Sequence, residues 1–165
     1  MLGGLKPLRS IFPQTELWSL AVPKRPKIDL VVNLLRDEPP QEWVSDFDQV
    51  VFKGNVFVEE VEFFHRLSDT LIMADFIQNY APDASGFLTR ALLRFMGVWH
   101  GGVSLDIQLS FLDRKLAKKS LARILSWNFD KLIIAHGVCV ESNAKAFVEK
   151  AFRWLNHGDG NHFAI

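Results

Sequence analysis

The stretch EFFHRLSDTLIMADF, residues 62–76, decides the fold because it joins two apolar segments through a short polar turn. The turn at 66–69 separates segments rich in Phe, Leu and Ile, which is typical of a β-hairpin. The continuous apolar run LIMA at 71–74 is typical of a strand that is covered on both faces. The sequence therefore predicts a hairpin inside a layered protein, with its second strand buried.

Neighbouring segments extend this hairpin into a sheet. The segments FDQVVFKG at 47–54, VFVEEVEFF at 56–64 and DTLIMADF at 69–76 are rich in Val, Ile and Phe, and they predict an antiparallel meander. The segment KLIIAHG at 131–137 predicts one further strand that ends in a turn. We therefore expect one sheet between two layers of other structure.

Helical periodicity at 85–97, 110–127 and 141–155 predicts three helices. Ser85 fits the N-cap of the first helix and Gly97 fits its end. Ser110 and Asp113 have the spacing of a capping box at the start of the second helix. The apolar stripe of the first helix consists of Phe87, Leu88, Ala91, Leu92 and Phe95. In the second helix, the residues expected to be buried are Leu116, Leu121, Ile124 and Leu125.

The distribution of proline divides the chain. Six of its seven prolines lie in residues 1–45, and proline interrupts both helices and strands, so we expect a proline-rich N-terminal arm. Residues 46–157 carry the strands and helices, and 158–165 form a polar tail that we expect to be flexible. At 165 residues the chain is long enough for a single domain with a substantial core.

Charge and composition exclude several classes of partner. Nineteen basic residues balance nineteen acidic ones, so the net charge does not attract nucleic acid or anionic lipid. No apolar run reaches the roughly 18 residues that a membrane-spanning helix needs. We therefore expect neither nucleic acid nor a membrane as a partner.

The single cysteine, Cys139, excludes an intramolecular disulfide and a cysteine-rich zinc site. A free thiol is typical of a reducing compartment, which predicts a cytoplasmic protein, with import into an organelle as the alternative. The sequence contains no HExxH, P-loop, GxSxG or CxxC motif. Zincin, nucleotide-binding and serine-hydrolase hypotheses therefore have no motif to support them.

Two polar residues stand where apolar strands end, Asp75 after TLIMA and His136 after LIIA. Functional groups gather at strand ends in layered α/β proteins, and carboxylate oxygen and imidazole nitrogen both bind zinc, iron or manganese. The alternative is structural, since an Asp after a strand often caps a turn and a His can bond the backbone. His65 lies close to Ser68 and Asp69, but residues this near in a turn rarely form a catalytic triad.

Four blocks occur in order along the chain: EVEFFHRLSDTLIMADF at 60–76, RALLRFMG at 90–97, DRKLAKKSLARILSWNFDKLIIAHG at 113–137 and AFRWL at 151–155. Together with PPQEW at 39–43, they resemble an uncharacterised family, a domain of unknown function related to the metallo-β-lactamase superfamily. The resemblance covers about residues 5–155. The chain resembles the C-terminal two-thirds of a family member.

This resemblance implies a partial αββα sandwich, a layered α/β (α+β) fold whose first strands would precede residue 1. It implies a one- or two-metal site in which Asp75 matches the aspartate that ends a strand. His136 matches the late histidine before the C-terminal helix. A sheet without its partner strands would expose an edge, which predicts an oligomer or a partner that covers it.

Two hypotheses about function follow. In the first, the chain is a metal-dependent hydrolase acting on an unknown small molecule, with zinc, iron or manganese at an incomplete site. In the second, the same fold binds a ligand or a protein without catalysis and needs no metal. The superfamily's HxHxDH-type ligand cluster is absent from the sequence. Whether the chain is an enzyme therefore stays open at this point.

Overall fold

The computed structural model describes residues 11–12, 14–20, 32–80 and 86–158, so the predicted flexible tail lies outside them except for Gly158. The chain forms two compact units, Met1–Leu35 and Arg36–Ile165. In the first unit, β1 (Leu17–Ser19) pairs in parallel with β2 (Val32–Leu34). The boundary between the units falls earlier than position 45, where the proline-rich arm was expected to end.

The second unit is built on a four-stranded sheet with the strand order β3-β4-β5-β6. Its strands are β3 (Phe47–Phe52), β4 (Glu60–His65), β5 (Thr70–Asn79) and β6 (Lys131–Gly137). The first three strands are antiparallel neighbours, and β6 is parallel to β5. The predicted meander and the predicted fourth strand are therefore confirmed.

The strand β4 begins later than the segment 56–64 predicted, because Asn55 folds the preceding residues into a turn. Its Oδ1 accepts hydrogen bonds from the backbone N–H groups of Phe57 and Val58, at 2.9 and 3.0 Å. Its Nδ2 donates to the Ser110 hydroxyl at 2.6 Å. These local bonds compete with the sheet ladder, and the loop ends only at Glu60.

The described residues contain four α-helices: α1 (Phe87–Phe95), α2 (Leu105–Ser110), α3 (Arg114–Ser126) and α4 (Ala144–Ala151). They also contain two 3₁₀ helices, Arg66–Ser68 and Arg153–Gly158. The predicted helix at 110–127 is in fact divided, because Ser110 ends α2 and Asp113 is the N-cap of α3. The Asp113 carboxylate accepts from Leu116 N at 3.0 Å. A layered α/β fold is thus what the chain adopts.

The core lies between one face of the sheet and helices α3 and α4. Its members from the sheet are Val50, Phe52, Phe64, Leu71, Met73, Phe76, Ile77, Leu132 and Ile134, and those from the helices are Ala117, Leu121, Ile124, Ala144, Val148 and Ala151. Two hydrogen bonds of the Ser120 hydroxyl link α3 to the sheet. The hydroxyl accepts from Lys53 N and donates to Val51 O, both at 3.2 Å. Leu116, expected to be buried, is 40% exposed.

Helix α1 presents its apolar stripe to solvent instead of to the core. Phe87 is 83% exposed, Leu92 59% and Phe95 74%. The guanidinium groups of Arg90 and Arg94 lie over the Trp99 ring, at 6.0 and 5.5 Å from its centre. The arginine side of the helix, and not its apolar stripe, therefore contacts the rest of the protein.

The second face of the sheet is only partly covered. Phe63, Ile72 and Ile133 lie side by side across three strands. Phe63 and Ile72 are half-buried, and Ile133 is 47% exposed. The strand β5 was expected to be buried on both faces, and this expectation is wrong for Ile72.

The outer strands of the sheet are engaged at several backbone positions where an exposed edge was expected. On β3, Val51 N donates to the Asp37 carboxylate at 3.0 Å. On β6, Leu132 and Val140 exchange two backbone hydrogen bonds of 2.8 and 2.9 Å. None of the described helices is long and apolar enough to cross a membrane.

Candidate metal site on two neighbouring strands

Asp75 and His136 lie side by side on the neighbouring strands β5 and β6. His136 lies at the end of β6, whereas Asp75 lies within β5, which continues to Asn79, so the expectation that Asp75 ends a strand is wrong. The ladder between these strands is regular as far as Met73 and Ile134, and its register then shifts before Gln78 pairs with His136. Asp75 lies in this irregular stretch. The His136 Nε2 and Asp75 Oδ1 atoms are 3.0 Å apart, and both side chains are about half exposed, at 48% and 54%. The two residues picked out from the sequence are thus brought together.

This separation fits two ligands of one metal ion. Zinc binds imidazole nitrogen and carboxylate oxygen at about 2.0–2.2 Å, so two such ligands lie about 2.8–3.1 Å apart at octahedral angles and about 3.3–3.6 Å apart at tetrahedral angles. The observed 3.0 Å lies in the octahedral range. Without an ion, the same two atoms form a hydrogen bond, and the half-exposed pair is open to solvent and to a small molecule.

The donor set is nevertheless short of a complete catalytic site. Within the described ranges there is no group of three or more His, Cys, Asp or Glu side chains placed to hold a metal ion. A catalytic zinc usually has three protein ligands and one open position. The structure therefore supplies two fitting ligands, in agreement with the missing HxHxDH-type cluster in the sequence.

Glu60 fixes the backbone at Asp75. Its Oε2 accepts a hydrogen bond from Asp75 N at 2.8 Å, which supplies an acceptor to an amide in the irregular part of β5. From the sequence, Glu59 or Glu60 was a candidate oxygen ligand in place of a missing histidine, with a solvated hairpin edge as the favoured alternative. Glu60 is 7% exposed, so the edge interpretation is wrong for it, whereas Glu59 is exposed. The contact of Glu60 with the Asp75 amide is a role that the sequence did not predict.

Glu62 is a second buried carboxyl group on the same strand. It is fully buried and lies directly opposite Val50 in the register of β3 and β4. When Glu60 and Glu62 are both ionised, neither oxygen of Glu62 receives a hydrogen bond. Burial raises the pKa of Glu62 well above its ordinary value, and the neighbouring charge of Glu60, a hydrogen bond with Glu60 and the charge of Asp75 raise it further. A proton on Glu62 removes this conflict, because its O–H then donates to Glu60.

The alternation of side chains along β4 was the signal that could have identified this pair. Successive residues of a strand point to opposite faces of the sheet. Glu60 and Glu62 therefore lie on the same face as Phe64, which belongs to the core. The pattern was ambiguous because Val61 and Phe63 made the other face equally apolar. Only the pairing of Glu62 with Val50 shows which face is the core face.

The remaining histidines lie elsewhere or outside the described side chains. His65 Nδ1 lies 2.7 Å from the Ser68 hydroxyl, and that hydroxyl donates to Thr70 Oγ1 at 2.7 Å. This network lies within the turn of the hairpin, as expected for residues that are too close in sequence to form a catalytic triad. His100 occupies a turn with a φ of 60°. The side chain of His157 and the whole of His162 are outside the described part of the chain.

Comparison with known proteins adds no relative. No family model matches the sequence, and no curated protein is significantly similar to it. The resemblance to the metallo-β-lactamase superfamily, drawn from the sequence blocks, therefore stays a prediction. The case for function depends on the geometry of the Asp75–His136 pair.

Proposed function

We propose that Asp75 and His136 bind one divalent metal ion, zinc, iron or manganese, in a metallo-β-lactamase-like protein with an incomplete hydrolytic site. The observation that carries this proposal is the 3.0 Å separation between a carboxylate oxygen and an imidazole nitrogen on two adjacent strands. Both atoms belong to residue types that bind these metals. His136 also lies at the end of its strand, where layered α/β proteins often place ligand sites.

The chain's own residues prepare this pair in three ways. Glu60 holds the backbone of Asp75 through the 2.8 Å bond to its amide, which restricts the direction of the carboxylate. The register shift after Met73 brings Asp75 next to His136. The half exposure of both side chains leaves room for water and substrate. When bound, a metal ion supplies Lewis-acid activation of water and of an ester, thioester or similar carbonyl group.

Two protein ligands predict weak binding. The positions that a third histidine or carboxylate would fill are left to water or to atoms of the substrate. We therefore expect an ion that exchanges readily with chelators, in contrast to the tightly held zinc of a structural site.

The second candidate function is binding of a ligand or protein partner without catalysis. The lack of a three-ligand group in the described ranges favours it, because such a pair can bind an ion and yet fail to activate water. Fold alone does not decide between the two candidates.

Metal titration of the purified chain without an affinity tag tests the proposal. We expect the wild type to bind one equivalent of Zn²⁺ or Mn²⁺, and Asp75→Asn/His136→Gln to bind at least tenfold more weakly. His65→Gln is the matched control, since it removes a half-buried histidine of the same sheet. Equal affinity of the wild type and the double variant would overturn the metal site.

Hydrolysis assays separate the two candidate functions. We expect metal-dependent cleavage of p-nitrophenyl acetate or of a simple thioester by the wild type and by His65→Gln, and its loss in the double variant. Stoichiometric metal binding without such cleavage would support the binding protein and contradict the hydrolase.

A further inference from the structure

A cavity of 260 Å³ that contains neither Asp75 nor His136 lies between a glycine-rich turn and the C-terminal 3₁₀ helix. The turn contributes Gly97, Gly101 and Gly102, and the C-terminal part contributes residues of α4 and of the 3₁₀ helix. The polar lining residues are Gln108, Lys150, Arg153 and Trp154. A volume of this size is close to the lower end of small-molecule sites, which begin near about 300 Å³. The cavity therefore suits a small molecule and not a polymer.

The charge of the lining is positive. Lys150 and Arg153 both line the cavity, and no carboxylate does. Both side chains are exposed, and neither makes an ion pair or a side-chain hydrogen bond with any other described residue. The nearest acidic residues along these elements, Asp106 and Glu149, are not among the lining residues. Two cations without a described partner favour an anionic ligand.

Trp154 lines the cavity beside these two cations. Its indole Nε1 is buried, so the N–H is closed to a ligand in the cavity. Trp154 therefore contributes to the wall of the cavity and does not supply a hydrogen-bond donor.

The glycines keep the opposite wall free of side chains. Gly101 has a φ of 90°, and a side chain there would overlap the Phe147 ring. A side chain at Gly102 would overlap the carbonyl oxygen of Gly97. The backbone N–H groups of Gly101 and Gly102 already donate within the protein, to Val98 O and Gln78 O. The glycine turn is thus fixed by close packing within the protein, and Lys150 and Arg153 supply the donors.

We propose that this cavity binds a small organic anion through a phosphate or carboxylate group. Lys150 and Arg153 pair with the charge, next to the Trp154 side chain. This inference does not depend on the metal site, since no residue of the cavity belongs to it. Phosphate and carboxylate share the required chemistry, and the experiment below distinguishes them.

The indole N–H resonances of the ¹⁵N-labelled full chain give a direct test. The Trp154 signal is assigned from its loss in Trp154→Phe. Inorganic phosphate, acetate and sodium chloride are then titrated separately at matched ionic strength. We expect a saturable shift of the Trp154 signal with phosphate, acetate or both, and none with chloride. The more strongly bound anion identifies the class of ligand.

Charge-removing variants complete the test. Lys150→Gln/Arg153→Gln changes two exposed side chains, and we expect it to raise the dissociation constant of the bound anion at least tenfold. The control Lys115→Gln/Lys119→Gln removes two exposed lysines from α3, and we expect less than a twofold change. If the double variant loses its native amide spectrum, Lys150→Gln alone is used, with an expected threefold or greater increase. A wild type without a saturable shift, or equal affinities in wild type and variant, would overturn the proposal.

Discussion

Two pairs of polar residues lie close together on the sheet, and they differ in almost every physical property. The inner pair, Glu60 and Glu62, is buried, whereas the outer pair, Asp75 and His136, is half exposed. The inner pair is joined to the outer one by the hydrogen bond from Asp75 N to Glu60. Burial therefore separates two roles: in the inner pair it raises the pKa of Glu62 and Glu60 orders the backbone, whereas the outer pair is open to solvent.

The largest effect is expected at the inner pair, from Glu60→Ala. This change leaves the Asp75 amide without its acceptor and the buried Glu62 without its partner. Each loss is worth about 1–3 kcal/mol, so we expect the free energy of unfolding to fall by about 3 kcal/mol. Urea denaturation at neutral pH measures it. Glu60→Gln keeps an acceptor oxygen for the amide, so its loss of stability should be at most half of that in Glu60→Ala; a Gln variant as unstable as the Ala variant would contradict the role of the hydrogen bond.

The next effect concerns the pH dependence of stability at Glu62. Its pKa is raised from 4.5 chiefly by burial, so above pH 4.5 the unfolded chain loses a proton that the folded protein still holds. Stability due to this group is full below pH 4.5 and declines as the pH rises through the raised pKa.

The variant Glu62→Gln removes this ionisation, so its stability should lack that decline and exceed that of the wild type at high pH, by about 2 kcal/mol. Thermal unfolding from pH 4 to pH 9 measures the difference between the two proteins. A difference that is independent of pH would show that Glu62 does not hold the proton.

The smallest effect on stability is expected at the outer pair. Exposed ion pairs contribute about 0–1 kcal/mol, so Asp75→Asn/His136→Gln should change the free energy of unfolding by less than about 1 kcal/mol. The same variant should lose metal affinity, as stated above. A large loss of stability in denaturant would instead indicate that this pair is structural, and would remove the contrast between the two pairs.

The sequence predicted the outer pair and missed the inner one for a physical reason. Asp75 and His136 each end an apolar run, and parallel neighbours bring such ends together. Glu60 and Glu62 stand within a strand that is apolar at both parities, so their face could not be chosen without the register. Neither Glu60 nor Glu62 belongs to a recognised sequence motif.

Helix α1 shows a different limit of the sequence. Its periodicity correctly predicted a helix ending at Gly97, but periodicity reports only that one stripe is apolar. Whether that stripe is buried depends on tertiary contacts. In this helix Arg90 and Arg94, and not the apolar stripe, pack on Trp99. For α3, with a similar pattern, Leu121 and Ile124 were predicted correctly as buried.

A crystal of the wild-type chain soaked in zinc and recorded at the zinc absorption edge tests the central claim most directly. The account predicts one anomalous peak at about 2.0–2.2 Å from both a carboxylate oxygen of Asp75 and Nε2 of His136. A map at saturating zinc with no peak between these two side chains, or with its strongest peak elsewhere in the molecule, would contradict it.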